Sequence, residues 1–179
     1  MKTLVIAVAL LAGAFPVQDM PEAKPLEQHE WLQQLVGEWT VTMEASMGPD
    51  VEPMRMEGTE SVRSIGGLWI LGEGSATLGG KHVASILTLG YDPRRKAFVG
   101  SWIDTVQTHM WSYVGTLDEA RKVLTLDTEG PAFDDPTKNA KYRDAIELED
   151  RDHKVLTSSL QDEKGNWTAF MRAEYRRKR

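Results

Sequence analysis

Hydrophobic and polar residues follow two periods in succession along this chain. Leu26, Trp31, Leu32, Leu35 and Val36 recur at roughly helical spacing. That predicts a short helix over 25–36, with Pro25 in its first turn and Gly37 as its stop. After Gly37 the period drops to two. Trp39, Val41, Met43 and Ala45 alternate with Thr40, Thr42, Glu44 and Ser46, as in a half-buried strand. Turn-forming residues then recur at short intervals, among them Gly48-Pro49, Gly66-Gly67, Gly79-Gly80, Asp92-Pro93, Asp118-Glu119, Gly130-Pro131 and Lys164-Gly165-Asn166. They divide the chain into ten predicted strands at 38–47, 52–64, 67–78, 82–91, 96–105, 109–117, 122–129, 139–149, 153–161 and 166–177. Tight connections between consecutive strands predict an all-β, antiparallel up-and-down meander. About ten such strands tend to close into a barrel, because closure removes exposed edges. A barrel of that size holds either side chains or one small ligand.

The segment ahead of the helix reads as an address. Met1-Lys2 is a positive start, residues 3–14 carry no charge, and Ala12-Gly13-Ala14 has the small-x-small form of a cleavage site. The apolar run is shorter than the roughly 20 residues a spanning helix needs. The expected division is a signal peptide over 1–14, a flexible leader over 15–24 and a single barrel domain over 25–179. The expected location is the periplasm or outside the cell. N-terminal sequencing of exported protein should begin at or within a few residues of Phe15; a start at Met1 would refute this.

Composition narrows the function. The chain has 179 residues, no cysteine and a net charge of -6. Disulfides, thiol nucleophiles and cysteine–metal sites are excluded. An acidic body argues against nucleic acid as a partner and against steering to anionic membranes. Once the leader is removed, no stable membrane insertion is expected. The four histidines, His29, His82, His109 and His153, have no metal-site spacing, so no metal is expected. No nucleophile elbow or dinucleotide-binding glycine motif occurs, and no cofactor is expected.

Several residues are candidates for chemistry. The predicted fifth strand ends near Thr105 and the sixth starts at His109, which makes Asp104 and His109 cross-strand neighbours. Such a pair serves as a general base or a ligand anchor, or else is an exposed ion pair of little worth. Glu60 falls in phase with Met54, Met56 and Val62 and is expected to point inward, where it needs a cationic or hydrogen-bonding partner. On the predicted eighth strand either Arg143 or Asp144 faces the interior, depending on phase. Met56, Trp69, Trp102 and Trp111 are soft or aromatic residues suited to an adaptable cavity or to a filled core. Gly-x-Trp occurs at Gly37, Gly67, Gly100 and Gly165. At a two-residue period each glycine would share a face with its tryptophan, unless the recurrence is coincidence.

A Gly-x-Trp after a short helix and opening the first strand resembles the start of lipocalins and calycins. There the helix closes one barrel end and the tryptophan plugs it. The longer series Leu35-Val-Gly-Glu-Trp-Thr40, Gly58-Thr-Glu-Ser61, Gly66-Gly-Leu-Trp69, Leu87-Thr-Leu-Gly-Tyr-Asp-Pro93, Phe98-Val-Gly-Ser-Trp-Ile-Asp104, Leu124-Thr-Leu-Asp-Thr-Glu-Gly-Pro131 and Lys141-Tyr-Arg-Asp144 resembles the DUF1579 family over about residues 27–177. That resemblance implies a lipocalin-like barrel and carries no catalytic residues. The fold is also similar to nitrobindin-type haem barrels, but the last strand, Trp167 to Tyr175, lacks the histidine that would hold haem.

The leading expectation is therefore a barrel that binds a small apolar or amphipathic molecule. Its ligand-contacting set would be Met56, Glu60, Trp69, Trp102, Asp104, His109, Trp111 and Arg143. One alternative is an enzyme using Asp104, His109 or Glu60 as acid–base groups in the same cavity. The other is a structural or interaction domain with a filled core.

Overall fold

A computed structural model describes residues 23–46 and 52–179. The expected signal peptide, most of the leader and the Gly48-Pro49 turn lie outside these residues. Among the described residues one short helix, α1 (Glu27–Gln33), precedes ten strands: β1 (Gly37–Ala45), β2 (Met54–Ile65), β3 (Trp69–Leu78), β4 (Lys81–Asp92), β5 (Ala97–Asp104), β6 (Trp111–Leu117), β7 (Val123–Pro131), β8 (Asn139–Asp150), β9 (His153–Gln161) and β10 (Trp167–Arg177). Each strand pairs with its chain neighbours, and β1 pairs antiparallel with β10, so the sheet is a closed barrel. The predicted strand ends agree with the observed ones to within two residues, since Gly or Asp residues mark most of the connections.

The helix is shorter than the predicted 25–36. Leu26 is extended and acts as N-cap, which puts Pro25 outside the helix. The Leu26 backbone N–H donates to Nδ1 of His29 at 2.9 Å, and Glu27 and Glu30 place negative charge at the positive end of the dipole. At the other end, the N–H groups of Gln34, Leu35 and Val36 each donate to the carbonyl three residues back. This tightens the last turn and uses orphan carbonyls. Gly37 then opens β1 at φ +140°, where a Cβ would lie 2.1 Å from a guanidinium nitrogen of Arg177. Only glycine suits that position.

α1 closes one end. Trp31, Leu32 and Leu35 pack with Trp39, Ile70, Leu89, Phe98 and Leu124 in a dry cluster. The Trp31 indole donates to the Arg121 carbonyl at 2.8 Å, and the Trp39 indole donates to the Leu35 carbonyl at 3.0 Å. Arg177 donates to the carbonyls of Val36 and Gln34, fastening the last strand to the end of the helix.

The Gly-x-Trp recurrence is not a structural repeat. Gly67 and Gly165 stand in turns at positive φ rather than on strands. Trp39 is fully buried in the plug, while Trp69 is 41% exposed on the outside.

Candidate ligand cavity

The two halves of the barrel are filled differently. Towards α1 the inward residues are large and apolar. Towards the other end β2 and β3 present Gly58, Gly74 and Ala76, and β10 presents Ala173. These small side chains leave a cavity of about 410 Å³. Its walls carry Met43 and Met56 from β1 and β2, and Leu87, Trp102, Trp111 and Tyr142 from β4, β5, β6 and β8. Among the described residues, the connections after β3, β5, β7 and β9 lie at this end, the mouth.

Aromatic rings run along one side of that mouth in edge-to-face contact. His109 lies 4.8 Å from Trp111, Trp111 lies 4.9 Å from Tyr142, and Tyr142 lies 5.3 Å from Phe133 between ring centroids. Phe133 in turn meets Phe170 at 5.1 Å. Gly130 makes this possible, because a Cβ there would sit 2.5 Å from the Trp111 ring. Ladder pairing between β6 and β7 runs only from Val114–Asp127 to Leu117–Leu124. Nearer the mouth, the indole nitrogen of Trp111 and the hydroxyl of Thr128 are buried without hydrogen-bond partners.

The floor is polar and rests on the tryptophan plug. Lys154 from β9 donates to Glu60 of β2 at 2.6 Å, with both side chains nearly buried. Its ammonium lies 4.7 Å from the Trp39 ring centroid and 4.5 Å from that of Tyr175. Desolvation pulls the Lys154 pKa below the usual lysine range, against the opposing pull of Glu60. Beside this pair, Asp144 of β8 accepts from the hydroxyl of Tyr113 at 2.6 Å and from the hydroxyl of Ser158. Burial pushes the Asp144 carboxyl above its ordinary value, and the two hydrogen bonds only partly offset this. Burial likewise pushes the Tyr113 phenol far up, with the Asp144 charge adding to it. The Tyr175 phenol is raised by the same burial and by the charges of Glu60 and Asp144.

The raised carboxyl has a consequence for stability. The folded state holds the Asp144 proton more tightly than the unfolded chain does, so protonation favours folding. Relative to Asp144→Asn, the natural protein should gain stability as pH falls through the raised pKa, with the gain complete below 3.8. Urea unfolding of both proteins across acid pH checks this. A difference that stays constant with pH would show that Asp144 is not desolvated.

The structure sorts the expected site residues. Met56, Glu60, Trp102, Asp104 and Trp111 line the cavity. Trp69 does not. It alternates with inward Ile70 and lies flat over Gly90 on the outer face. Arg143 also faces out, bound to Asp127 at 2.7 Å and stacked 4.1 Å over Trp167, so Asp144 takes the inward phase. The expected pairing of Asp104 with His109 is absent. β6 begins at Trp111, which lengthens the connection, and Asp104 turns its carboxylate onto the backbone N–H groups of Val106 and Gln107 at 2.8 and 2.9 Å. His109 stands at the mouth, with Nε2 3.2 Å from the Glu129 carbonyl. Sequence reasoning missed Tyr113, Lys154, Ser158 and Tyr175. Lys154 and Ser158 alternate with Leu156, but adjacent Val155 is equally apolar and hides the phase.

Among the described residues that line the cavity there is no histidine, so haem iron has no imidazole ligand there. No cluster of three or more metal-ligating side chains occurs among the described residues.

The molecule is a closed antiparallel barrel of the calycin and lipocalin kind, capped by one helix. Residues 24–177 match the model of a family described as "Protein of unknown function (DUF1579)", and the chain belongs to that family. Rv2717c from M. tuberculosis has a similar structure, with 15% identity, a TM-score of 0.60, and coverage of 87% of this chain and 100% of that one. The S-type phycobiliprotein lyase CPES from Guillardia theta is similar at 11% identity and TM-score 0.53, over 84% of this chain and 92% of that one. At these identities the likeness is one of fold. No curated protein matches the chain significantly.

Proposed function

We propose that the barrel binds one small amphipathic molecule, with its apolar body between the Met56 and Trp111 walls and its polar end on the floor. The observation that carries this is the cavity of about 410 Å³, apolar in its walls and hydrogen-bonded in its floor. Small-molecule sites are commonly of this size and are apolar with a few placed polar groups, in a range of about 300–1,000 Å³. An unfilled interior argues against a filled structural core. Asp104 and His109 do not meet, so binding is better supported than acid–base catalysis. Residues 1–14 support export as the setting for this role.

A neutral apolar fluorophore, N-phenyl-naphthylamine, should bind the natural protein at one saturable site. Ala76→Trp places an indole inside the cavity and should weaken that binding by about tenfold or more, roughly 1.4 kcal/mol, while the circular dichroism spectrum is kept. Unsaturable binding, or binding indifferent to Ala76→Trp, would overturn the reading.

A further inference from the structure

We propose that the ligand carries a cationic head, an ammonium or amidinium group on an apolar body, and that Asp144 receives it. This rests on the cavity reading above and specifies its ligand class.

The argument is one of charge. Among the described residues lining the cavity, Glu60, Asp104 and Asp144 are acidic and Lys154 is basic; arginine and histidine are absent from the lining. Lys154 is already matched by Glu60 at 2.6 Å and sits against two aromatic faces. Its charge is therefore not on offer to an anion. Asp104 lies at the mouth and is held by its own loop.

Asp144 is different. Each of its oxygens accepts one hydroxyl, from Ser158 and from Tyr113, and among the described residues no cation forms a salt bridge with it. A carboxylate has about four acceptor sites, so capacity remains. A buried carboxylate without a cation is costly, and an incoming ammonium removes that cost. Burial holds the Asp144 carboxyl above its ordinary value, as expected for a charge that lacks a partner.

The surroundings suit the same head group. Thr128, on the adjacent strand β7, lines the cavity and is 8% exposed, and its hydroxyl has no partner. The route from the mouth passes the rings of Phe133, Tyr142 and Trp111, whose faces attract a cation. An anionic head would meet Asp104 at the mouth and Asp144 on the floor.

The test is displacement of N-phenyl-naphthylamine from the whole protein at neutral pH by three molecules sharing one chain: dodecylamine, dodecanol and dodecanoate. Dodecylamine should displace the probe at a concentration about tenfold or more below that of dodecanol, with dodecanoate weakest. Asp144→Asn should reduce the amine's advantage over dodecanol to about twofold or less. Asp104→Asn should keep most of it. If Asp144→Asn does not fold, Asp144→Thr, close to aspartate in volume, carries the same expectation, and the comparison in the natural protein needs no variant. Equal displacement by all three, or strongest displacement by dodecanoate, overturns the cationic assignment and leaves the cavity reading standing. An amine advantage that survives Asp144 substitution overturns the role of Asp144. Failure of the probe to bind overturns the cavity reading, and this inference with it.

Discussion

Replacing Trp39 by alanine is expected to destabilise the barrel by about 3–5 kcal/mol, the range for deleting a buried aromatic side chain. Trp39 is fully buried and touches the three parts that close the end. Its indole donates to the Leu35 carbonyl at the end of the helix. The Arg177 guanidinium of β10 lies 4.2 Å from its ring centroid, and the Lys154 ammonium lies 4.7 Å away. Alanine removes the ring that separates the dry core from the polar floor. The surrounding strands are tied by ladder bonds and cannot collapse into the gap. A loss below about 1 kcal/mol in urea unfolding, well under the range for buried rings, would contradict this placement.

Glu60→Leu is expected to destabilise by about 3–5 kcal/mol, because it leaves the Lys154 ammonium buried without its carboxylate. The double variant Glu60→Leu with Lys154→Met should recover much of that loss, since apolar pairs of similar volume replace buried ion pairs at little cost. The pH dependence has a definite sign. Burial holds the folded Lys154 pKa below the ordinary 10.5, and removing Glu60 takes away the charge that opposed this. The folded variant therefore loses its proton while the unfolded chain still holds one. Its stability should rise with pH between the folded pKa and 10.5, and the double variant should lack this rise. Urea unfolding of both proteins at alkaline pH reads the difference. A double variant as unstable as the single one would show that packing, not charge, sets the cost.

Strand number and order were legible because most connections are marked locally. Gly66-Gly67 and Gly79-Gly80 adopt positive φ, and Asp92, Asp118 and Asp162 bind the backbone N–H groups of their own turns. Those signals need no tertiary context. Which face points inward was harder to read. Glu60 was in phase with unambiguous apolar neighbours and lies inside. The stretch Tyr142-Arg143-Asp144 has a polar residue in both phases, and only the partner strands decide it. Through ladder pairing, Leu126 and Ser158 flank Asp144 on either side.

The Asp104–His109 expectation shows a second limit. Short carboxylate side chains bind nearby backbone N–H groups as readily as a neighbouring strand's imidazole. Val106 and Gln107 offer two such groups, and the loop curls around Asp104. The polar floor was least legible. Its members come from β2, β6, β8, β9 and β10, and no local spacing links Glu60 to Lys154 or Tyr113 to Ser158.

The central claim is that the interior is a ligand site and not a filled core. A crystal structure of the protein soaked with a bromine-labelled naphthylamine tests it most directly, since the bromine is located by its anomalous signal. The account predicts one strong peak inside the barrel, between Met56 and Trp111 and above Tyr113. An interior closed by Trp102 and Trp111, with bromine only on the outer face, would contradict it.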